Sequence, residues 1–182
     1  RLSMLSAPLR DRFGSHVHLD FYGEDEMHAI LARSSNLLNV PSEDAALRLI
    51  ATRSRRTPRI ANRLLRRVRD YAQVMADGTM TEPIVDGALR SLEIDTLGLD
   101  QADRRVLMAI IETFKGGPVG LSTLAAATSE EMDTLEDVIE PFLLQQGLIT
   151  RTPRGRVASE YAYKHLGFSI PAEADTMNPS LL

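Results

Sequence analysis

The order of segments between residues 99 and 159 is the feature of this sequence that most constrains its fold. Apolar residues recur at helical spacing in LDQADRRVLMAIIETF, KGGPVG breaks the pattern, and the short helical segment LSTLAAAT follows. A third helical segment runs to about Gln146, with a capping box expected from Thr128 and Glu131. LITRTPRGRVAS then has two extended runs around a Pro-Arg-Gly turn, typical of a β-hairpin. Three helices followed by a basic hairpin predict a winged helix over residues 93–167.

Residues 23–92 have the pattern of four amphipathic helices. The first lies in EDEMHAILARSSNLL, and Ser42 is the expected cap of the second. Thr57 and Pro58 start the third, which is rich in arginine, and Thr81 is the expected cap of the fourth. We therefore predict a small bundle of four helices.

The two ends of the sequence have other patterns. Residues 1–22 contain a turn, APLRDRFG, and a short alternating strand, HVHLDF, whereas residues 168–182 lack periodicity and are predicted to be a disordered tail. The fold class predicted for the whole chain is mainly α, with one short strand, a four-helix bundle and a winged helix. Because the chain begins at Arg1 within a turn, we expect it to be a fragment of a longer protein.

The composition excludes several kinds of site. The chain has no cysteine, so it can form neither disulfides nor thiolate metal sites, and its four histidines do not make a zinc set. We therefore expect no metal site. No apolar run approaches the roughly 20 residues of a membrane span, and no signal peptide opens the chain. A cytoplasmic protein without a membrane partner is expected.

Positive charge is concentrated in a chain whose net charge is −4. The chain has 21 basic residues, of which only Lys115 and Lys164 are lysines, and eight arginines fall between Arg53 and Arg69. Arginine makes planar, bidentate contacts with phosphates and carboxylates. The cluster therefore indicates either an anion site or a solvated arginine-rich face.

Arg59 occupies the first turn of the arginine-rich helix. A cation there opposes the helix dipole at a cost of roughly 0.3–1 kcal/mol, but free amides at a helix start bind anions, and a nearby arginine would complete such a site. The position therefore favours phosphate binding. Arg12 lies on a turn before a strand, from which it could reach a neighbour's phosphate site or form a surface salt bridge.

The chain contains no G-x-x-x-x-G-K-[ST] loop and no acidic strand end for magnesium. It therefore cannot hold ATP by itself, and this segment alone is expected to bind no cofactor and to be inactive.

The predicted third helix of the winged helix opens with SEEMDTLEDVIE, which contains six acids and no base. DNA phosphates would repel this face in a major groove, so a helix that reads sequence is not expected. Arg151, Arg154 and Arg156 make the hairpin the basic element of the unit. We expect them to contact DNA phosphates or a minor groove without reading sequence; a wing that contacts protein is the alternative.

Several stretches together resemble the bacterial Holliday-junction branch-migration motor family RuvB. They are APLRDRFG, TPRIANRLLRRVRD, DTLEDVIEPFLLQQG and RTPRGRVA, and the likeness covers residues 1 to about 168. Members of that family are AAA+ ATPases with an ATPase core, a helical lid and a winged helix. The resemblance implies that residues 1–22 are the edge of the core, 23–92 the lid and 93–167 the winged helix. The nucleotide-binding motifs of the core would precede Arg1.

The resemblance also implies residue roles. Arg12 matches an arginine finger that reaches the γ-phosphate held by the neighbouring subunit, and Tyr22 matches a nucleotide-contacting tyrosine. Arg59 matches the sensor 2 arginine, which contacts ATP from the lid. Two wing arginines match DNA contacts, with a third as a plausible companion: Arg151 and Arg156, with Arg154.

The same resemblance implies the ligands and partners of the whole protein. They are ATP with Mg²⁺, duplex DNA at Holliday junctions, identical subunits in a hexamer, and RuvA, which would bind the core outside this chain. Two positions depart from the family pattern: Arg56 replaces a usual glycine, and Met132 replaces a frequent arginine. We expect backbone strain at Arg56. We also expect the protein to bind DNA more weakly, because Met132 lacks the positive charge of the arginine.

Two alternatives to a branch-migration motor remain open from the sequence. A free-standing winged-helix regulator with a helical dimerisation domain would need a basic recognition helix. A clamp-loader-like AAA+ subunit would carry a helical collar in place of the wing.

Overall fold

The computed structural model describes Arg12, Val17 and residues 20–170. The predicted strand of residues 16–21 lies largely outside this part of the chain, as does the predicted tail from residue 171. Phe21 and Tyr22 lead into the first helix without regular secondary structure. Among the helices of the described residues, none has the length and apolar character that a membrane crossing requires.

The first unit is a bundle of four helices, as predicted. Helix α1 spans Glu24–Leu37, α2 Asp44–Arg53, α3 Pro58–Met75 and α4 Glu82–Ser91. Each helix turns its apolar stripe inward, where dispersion and removal from water stabilise the packed core. The largest side chains buried there are Met27, Leu31, Ile50, Leu65, Val68 and Met80.

The expected side-chain caps of these helices are wrong, although Thr57 and Thr81 do occupy cap positions. Neither threonine makes a side-chain cap hydrogen bond. Ser42 lies before the cap of α2, and its Oγ donates to the carbonyl of Val40 at 2.9 Å and lies 2.6 Å from the Oγ of Ser35. The buried Ser35 hydroxyl also lies 2.8 Å from the Val40 carbonyl, so this carbonyl and Ser42 are its partners inside the loop.

The second unit is a winged helix, also as predicted. Helix α5 spans Gln101–Met108 and continues as a π-helical turn, Ala109–Thr113; α6 spans Leu121–Thr128. Helix α7 consists of Met132–Thr134, a π-helical turn Leu135–Ile139, and Glu140–Gln145. The predicted Thr128 capping box is wrong: the Thr128 hydroxyl donates to the Leu124 carbonyl at 2.8 Å, and Glu131 is the residue that precedes α7.

The hairpin pairs β1, Ile149–Thr152, with β2, Gly155–Ala158, and places Arg151 opposite Arg156. Val119 forms an antiparallel β-bridge to the outer edge of β2, because its amide and carbonyl exchange hydrogen bonds with the backbone of Arg156 at 3.0 and 2.8 Å. Gly155 permits this approach: its φ is +138° and a Cβ there would overlap the Val119 backbone. Val119 therefore holds β2 close to the hairpin turn.

A short helix after the wing, α8 at Glu160–Leu166, was not predicted. The Ala162 amide donates to the Ser159 hydroxyl at 3.3 Å at its start, and Gly167 ends it with a left-handed φ of +75°. Ala162 and Tyr163 are buried against the winged-helix core. Tertiary packing stabilises this helix, because seven residues are too few for an independent one.

A charged contact joins the two units. Arg55, in the loop between α2 and α3, donates from Nη2 to Asp100 Oδ2 at 2.7 Å and to Asp103 Oδ2 at 2.5 Å. Its guanidinium also lies over the Phe142 ring, 4.4 Å from the centroid. We call these four residues the Arg55 clasp.

Asp103 is fully buried within the clasp. The pKa of its carboxyl is raised to about 7. Burial is the main cause and the nearby Asp100 charge adds to it, whereas the Arg55 guanidinium acts in the opposite direction. In the folded protein Asp103 therefore stays protonated at pH values well above the ordinary pKa of an aspartate. Below about pH 4, Asp103 is neutral in both the folded and the unfolded chain. Between about pH 4 and 7 it is ionised in the unfolded chain but still protonated in the folded one, so the free energy of unfolding falls as the pH rises through this range.

We predict that Asp103→Asn becomes more stable relative to the wild type as pH is raised from 5 to 8. Asparagine keeps the shape of the side chain but needs no buried charge, so the gain should be about 1 kcal/mol or more. Urea denaturation of both proteins at the two pH values measures the difference in unfolding free energy. A difference that stays constant between the two pH values would show that the pKa of Asp103 is not raised in the folded protein.

Candidate nucleotide and DNA interfaces

The start of α3 forms the first candidate interface. Thr57 precedes the helix and Pro58 is its first residue, so Arg59 lies in the first turn as predicted. The Thr57 hydroxyl donates to the Arg55 carbonyl at 3.0 Å and does not accept from the helix amides. Within the described residues the helix start therefore has no side-chain cap, so its first amides can bind an anion.

Arg59 is exposed and forms no ion pair with the residues that the structure describes. Arg48, Arg90 and Arg105 each bind a carboxylate, whereas Arg63, Arg66 and Arg67 on the same helix as Arg59 also form no ion pair with the described residues. What sets Arg59 apart is its place beside the first amides of α3, and an exposed arginine next to helix-start amides has the chemistry of a phosphate site.

The loop before α3 has an unusual backbone. Arg55 and Arg56 have φ values of +53° and +49°, so two successive non-glycine residues adopt the left-handed region. This conformation costs roughly 1–2 kcal/mol per residue. The backbone strain expected at Arg56 is therefore present. The ion pairs of the adjacent Arg55 with Asp100 and Asp103 can offset this cost.

Tyr22 lies at this same loop. A cleft of about 210 Å³ is lined by Asp20, Phe21, Tyr22, Arg56, Thr57 and Pro58, and it opens beside the start of α3. The Tyr22 ring is partly exposed there. The structure thus brings Tyr22 close to the helix that carries Arg59. Arg12 is exposed in a turn and does not line this cleft.

The wing forms the second candidate interface, and its three arginines differ in their contacts. Arg156 donates from Nε and Nη2 to Glu140 Oε1 and Oε2 at 3.0 and 2.8 Å, while Arg151 Nε donates to Glu140 Oε1 at 2.8 Å. The Arg156 side chain is 15% exposed and that of Arg151 55% exposed. Arg154 lies at the hairpin turn, exposed and without an ion pair to the described residues.

Glu140 anchors the wing to α7. Burial acts to raise the pKa of its carboxyl, but hydrogen bonds and charges from Arg156 and Arg151 outweigh burial and hold the pKa below its ordinary value. Glu140 therefore remains ionised at neutral pH and fixes both arginines. One of the six acids in the predicted recognition helix thus faces the wing and not a groove.

The outer face of α7 remains acidic. Glu131, Asp133 and Asp137 are exposed, and so is Met132 at the position where the family often has arginine. A basic recognition helix, which a free-standing regulator would need, is therefore not present in the described residues. The described residues also contain no cluster of His, Asp or Glu that could hold a metal ion.

Comparison with known proteins assigns both units. A family model for the RuvB AAA lid domain matches residues 22–95, and one for the RuvB C-terminal winged-helix domain matches residues 96–167. The chain belongs to the RuvB family. The resemblance seen in the sequence is thereby confirmed, and so is the fold class.

Individual relatives agree with this assignment. The Holliday junction branch migration complex subunit RuvB of Chloroflexus aurantiacus is 60% identical over 171 residues, which are 94% of this chain and 49% of that protein. That of Dehalococcoides mccartyi is 58% identical over 178 residues, 98% of this chain and 50% of that protein. The structure of the Thermotoga maritima RuvB Holliday junction branch migration motor has 51% identity and a TM-score of 0.89, covering 94% of this chain and 57% of that one. The chain thus spans about half the length of the curated relatives it matches.

Sequence reasoning missed the residues that hold these interfaces in place. Glu140 was counted among the six acids of the predicted third helix of the winged helix, and Arg55 was one of eight clustered arginines. A weak signal existed for Asp103, because Asp100 and Asp103 have the spacing of a reciprocal helix cap. Their shared contact with Arg55 joins residues 45 and 48 positions apart, which periodicity cannot reveal.

We predict that Arg156→Ala lowers the free energy of unfolding by about 1–3 kcal/mol, because buried Glu140 loses two of its hydrogen bonds. Arg154→Ala, the matched control at the exposed turn, should change it by less than about 0.5 kcal/mol. Urea denaturation followed by circular dichroism measures both. Equal stabilities of the two variants would argue against a structural role for Arg156.

Proposed function

We propose that this chain is part of a hexameric, ATP-driven DNA motor for Holliday junction branch migration in recombination and repair. The start of α3 is the observation that carries the proposal: no side chain of the described residues caps it, Arg59 is exposed in its first turn, and the Tyr22 cleft adjoins it. Membership of the RuvB family supports a nucleotide as the anion that binds there.

Arg59 would act within its own subunit as the sensor 2 arginine, binding a nucleotide phosphate from the lid. Tyr22 would contact the nucleotide at the junction of core and lid. Arg12 would act in trans, reaching the γ-phosphate on the neighbouring subunit and stabilising the charge that develops during transfer. ATP with Mg²⁺ would be held mainly by core elements that this sequence does not contain, so this segment alone should not hydrolyse ATP.

The wing would bind duplex DNA through its phosphates. Arg154 and Arg151 are the more exposed of the three arginines and can turn toward a backbone, whereas Arg156 would have to share its guanidinium with Glu140. Such contacts fix position without reading bases. This agrees with a motor that must move along DNA of any sequence.

In the whole protein, hydrolysis at subunit interfaces would move the lid against the core and draw duplex DNA past the winged helices. The partners of this activity would be identical subunits, Holliday junction DNA and RuvA, which would bind the core. We propose a cytoplasmic location for this assembly.

We predict that Arg12→Ala abolishes ATP hydrolysis by the full-length hexamer while each subunit still binds nucleotide. Arg59→Ala should weaken both binding and hydrolysis, because it acts on its own subunit's nucleotide. A fluorescent ATP analogue measures binding, and phosphate release measures hydrolysis.

Mixing the Arg12→Ala protein with a variant whose core cannot bind ATP should restore some hydrolysis. Some interfaces would then combine an intact pocket with an intact finger. Absence of any restored activity, under conditions where subunits demonstrably exchange, would refute the assignment of Arg12 in trans.

We predict that Arg154→Ala and Arg151→Ala weaken binding to all duplexes about equally. Each lost phosphate contact should reduce the slope of log affinity against log salt by about 0.9. A salt titration with two unrelated duplexes, at matched lengths, measures both effects. A loss confined to one duplex with an unchanged slope would instead indicate base reading.

A further inference from the structure

The two units of the chain meet at the loop from which the nucleotide-contacting helix starts. The Arg55 side chain leaves this loop and ends between Asp100 and Asp103 at the start of α5, over the ring of Phe142 in α7. Within residues 20–170 it is the ion pair that joins the four-helix bundle to the winged helix. We propose that Asp100 and Asp103 of the winged-helix unit are positioning residues for the nucleotide site, acting through Arg55 on Arg59.

The first link is the side chain of Arg55, which is held from three sides. Its Nη2 donates to both carboxylates at 2.7 and 2.5 Å, and only 12% of the side chain is exposed. Asp103 Oδ2 also accepts from the Asp100 amide at 2.9 Å, and Asp100 Oδ1 accepts from the amides of Ala102 and Asp103. The acceptors are therefore fixed by the cap of α5 and cannot follow Arg55 if it moves.

The second link is the backbone between Arg55 and α3. The Arg55 carbonyl accepts from the Thr57 hydroxyl at 3.0 Å, and the Thr57 amide donates to the Ser54 carbonyl at 3.1 Å. Ser54 is buried, and its hydroxyl donates to Ala51 at 2.6 Å. The position of Arg55 thus determines that of Thr57, the residue that precedes the helix carrying Arg59.

The third link is the left-handed backbone of Arg55 and Arg56. Two adjacent non-glycine residues hold this conformation only where their surroundings impose it. The Thr57 side chain does not cap the helix because it binds the strained loop instead. Without the clasp, the loop could relax and Thr57 could turn back to cap α3. That change would remove the open amides and redirect Arg59.

This arrangement gives the winged helix an effect on nucleotide affinity without contacting the nucleotide. Because coupling between two binding sites is reciprocal, nucleotide bound at Arg59 would in turn bias how the winged helix is held against the lid. The inference rests on the proposed nucleotide-binding role of Arg59.

The test measures affinity for a fluorescent ATP analogue in the full-length protein at pH 8, where Asp103 is ionised. Asp100→Asn with Asp103→Asn removes both charges while asparagine still caps α5. Arg55→Met keeps an unbranched apolar side chain that can cover Phe142. Each should lower the affinity by roughly three- to tenfold. DNA affinity of the wing should be unchanged within about twofold in the same proteins, since the wing contacts are separate.

The matched control is Glu130→Gln, which removes the ion pair between Glu130 and Arg105 of the same helix α5 but does not touch the clasp. Its nucleotide affinity should equal that of the wild type. In an Arg59→Ala background the clasp variants should cause little further loss, because their effect passes through Arg59. If the double variant does not fold, Asp100→Asn alone is used, because Asp100 is the more exposed of the two carboxylates. It should lower the nucleotide affinity in the same way but by a smaller factor.

Four outcomes are distinguishable. A loss in the clasp variants that disappears without Arg59 supports the inference. Wild-type affinity in folded clasp variants, with a loss in Arg59→Ala, overturns it. A loss that persists undiminished without Arg59, or that Glu130→Gln shares, also overturns it by indicating a general effect on folding. An unchanged affinity in Arg59→Ala would refute the proposed nucleotide role itself and the inference with it.

Discussion

The contact of Arg55 with Asp100 and Asp103 is the interaction on which the relation between the two units depends. One guanidinium group binds two carboxylates of another unit and covers an aromatic ring, which uses the planar, multidentate chemistry that lysine cannot reproduce. The contact is costly to form, because it buries Asp103 and raises its pKa to about 7. Its geometry explains why a strained loop persists before α3.

The wing is organised in the same way by a buried acid. Glu140 in α7 receives hydrogen bonds from Arg151 and Arg156, so the hairpin is tied to the helix behind it. The three arginines of the wing therefore differ in their contacts. Arg156 mainly supports the hairpin, while Arg154 at the turn is exposed and forms no ion pair with the described residues. A rigid wing with an exposed cation suits contact with a phosphate backbone.

Some arginines of the described residues bind carboxylates and others do not. Those in ion pairs hold elements together, as Arg55 and Arg156 do, or stabilise exposed helix faces, as Arg48 does. Arg59 and Arg154, without such partners among the described residues, lie at an open helix start and at a hairpin tip. These are the positions where a nucleotide phosphate and a DNA phosphate are proposed to bind. An exposed arginine that forms no ion pair with the described residues keeps its charge available to a phosphate at either position.

Most of the architecture follows from the sequence, because it depends on short-range patterns. Helical periodicity, Pro58 at a helix start and the Pro-Arg-Gly turn specify the four-helix bundle and the hairpin. Helix α8 was missed, since so short a segment is helical only where Ala162 and Tyr163 can pack. The expected caps at Ser42 and Thr128 were wrong because both hydroxyls bind carbonyls, Val40 and Leu124, that lie close by in the folded chain.

The sequence by itself selected the candidate residues: Arg59 was proposed from its place in a first helical turn, and the wing arginines from their place on a hairpin. Those assignments need only local geometry. Only the tertiary structure decided which arginines are engaged within the fold, because that depends on Asp100, Asp103 and Glu140 meeting residues distant in sequence. A carboxylate buried against a guanidinium has the same sequence signature as one in water. Its environment, and therefore its pKa and its role, exists only once the chain has packed.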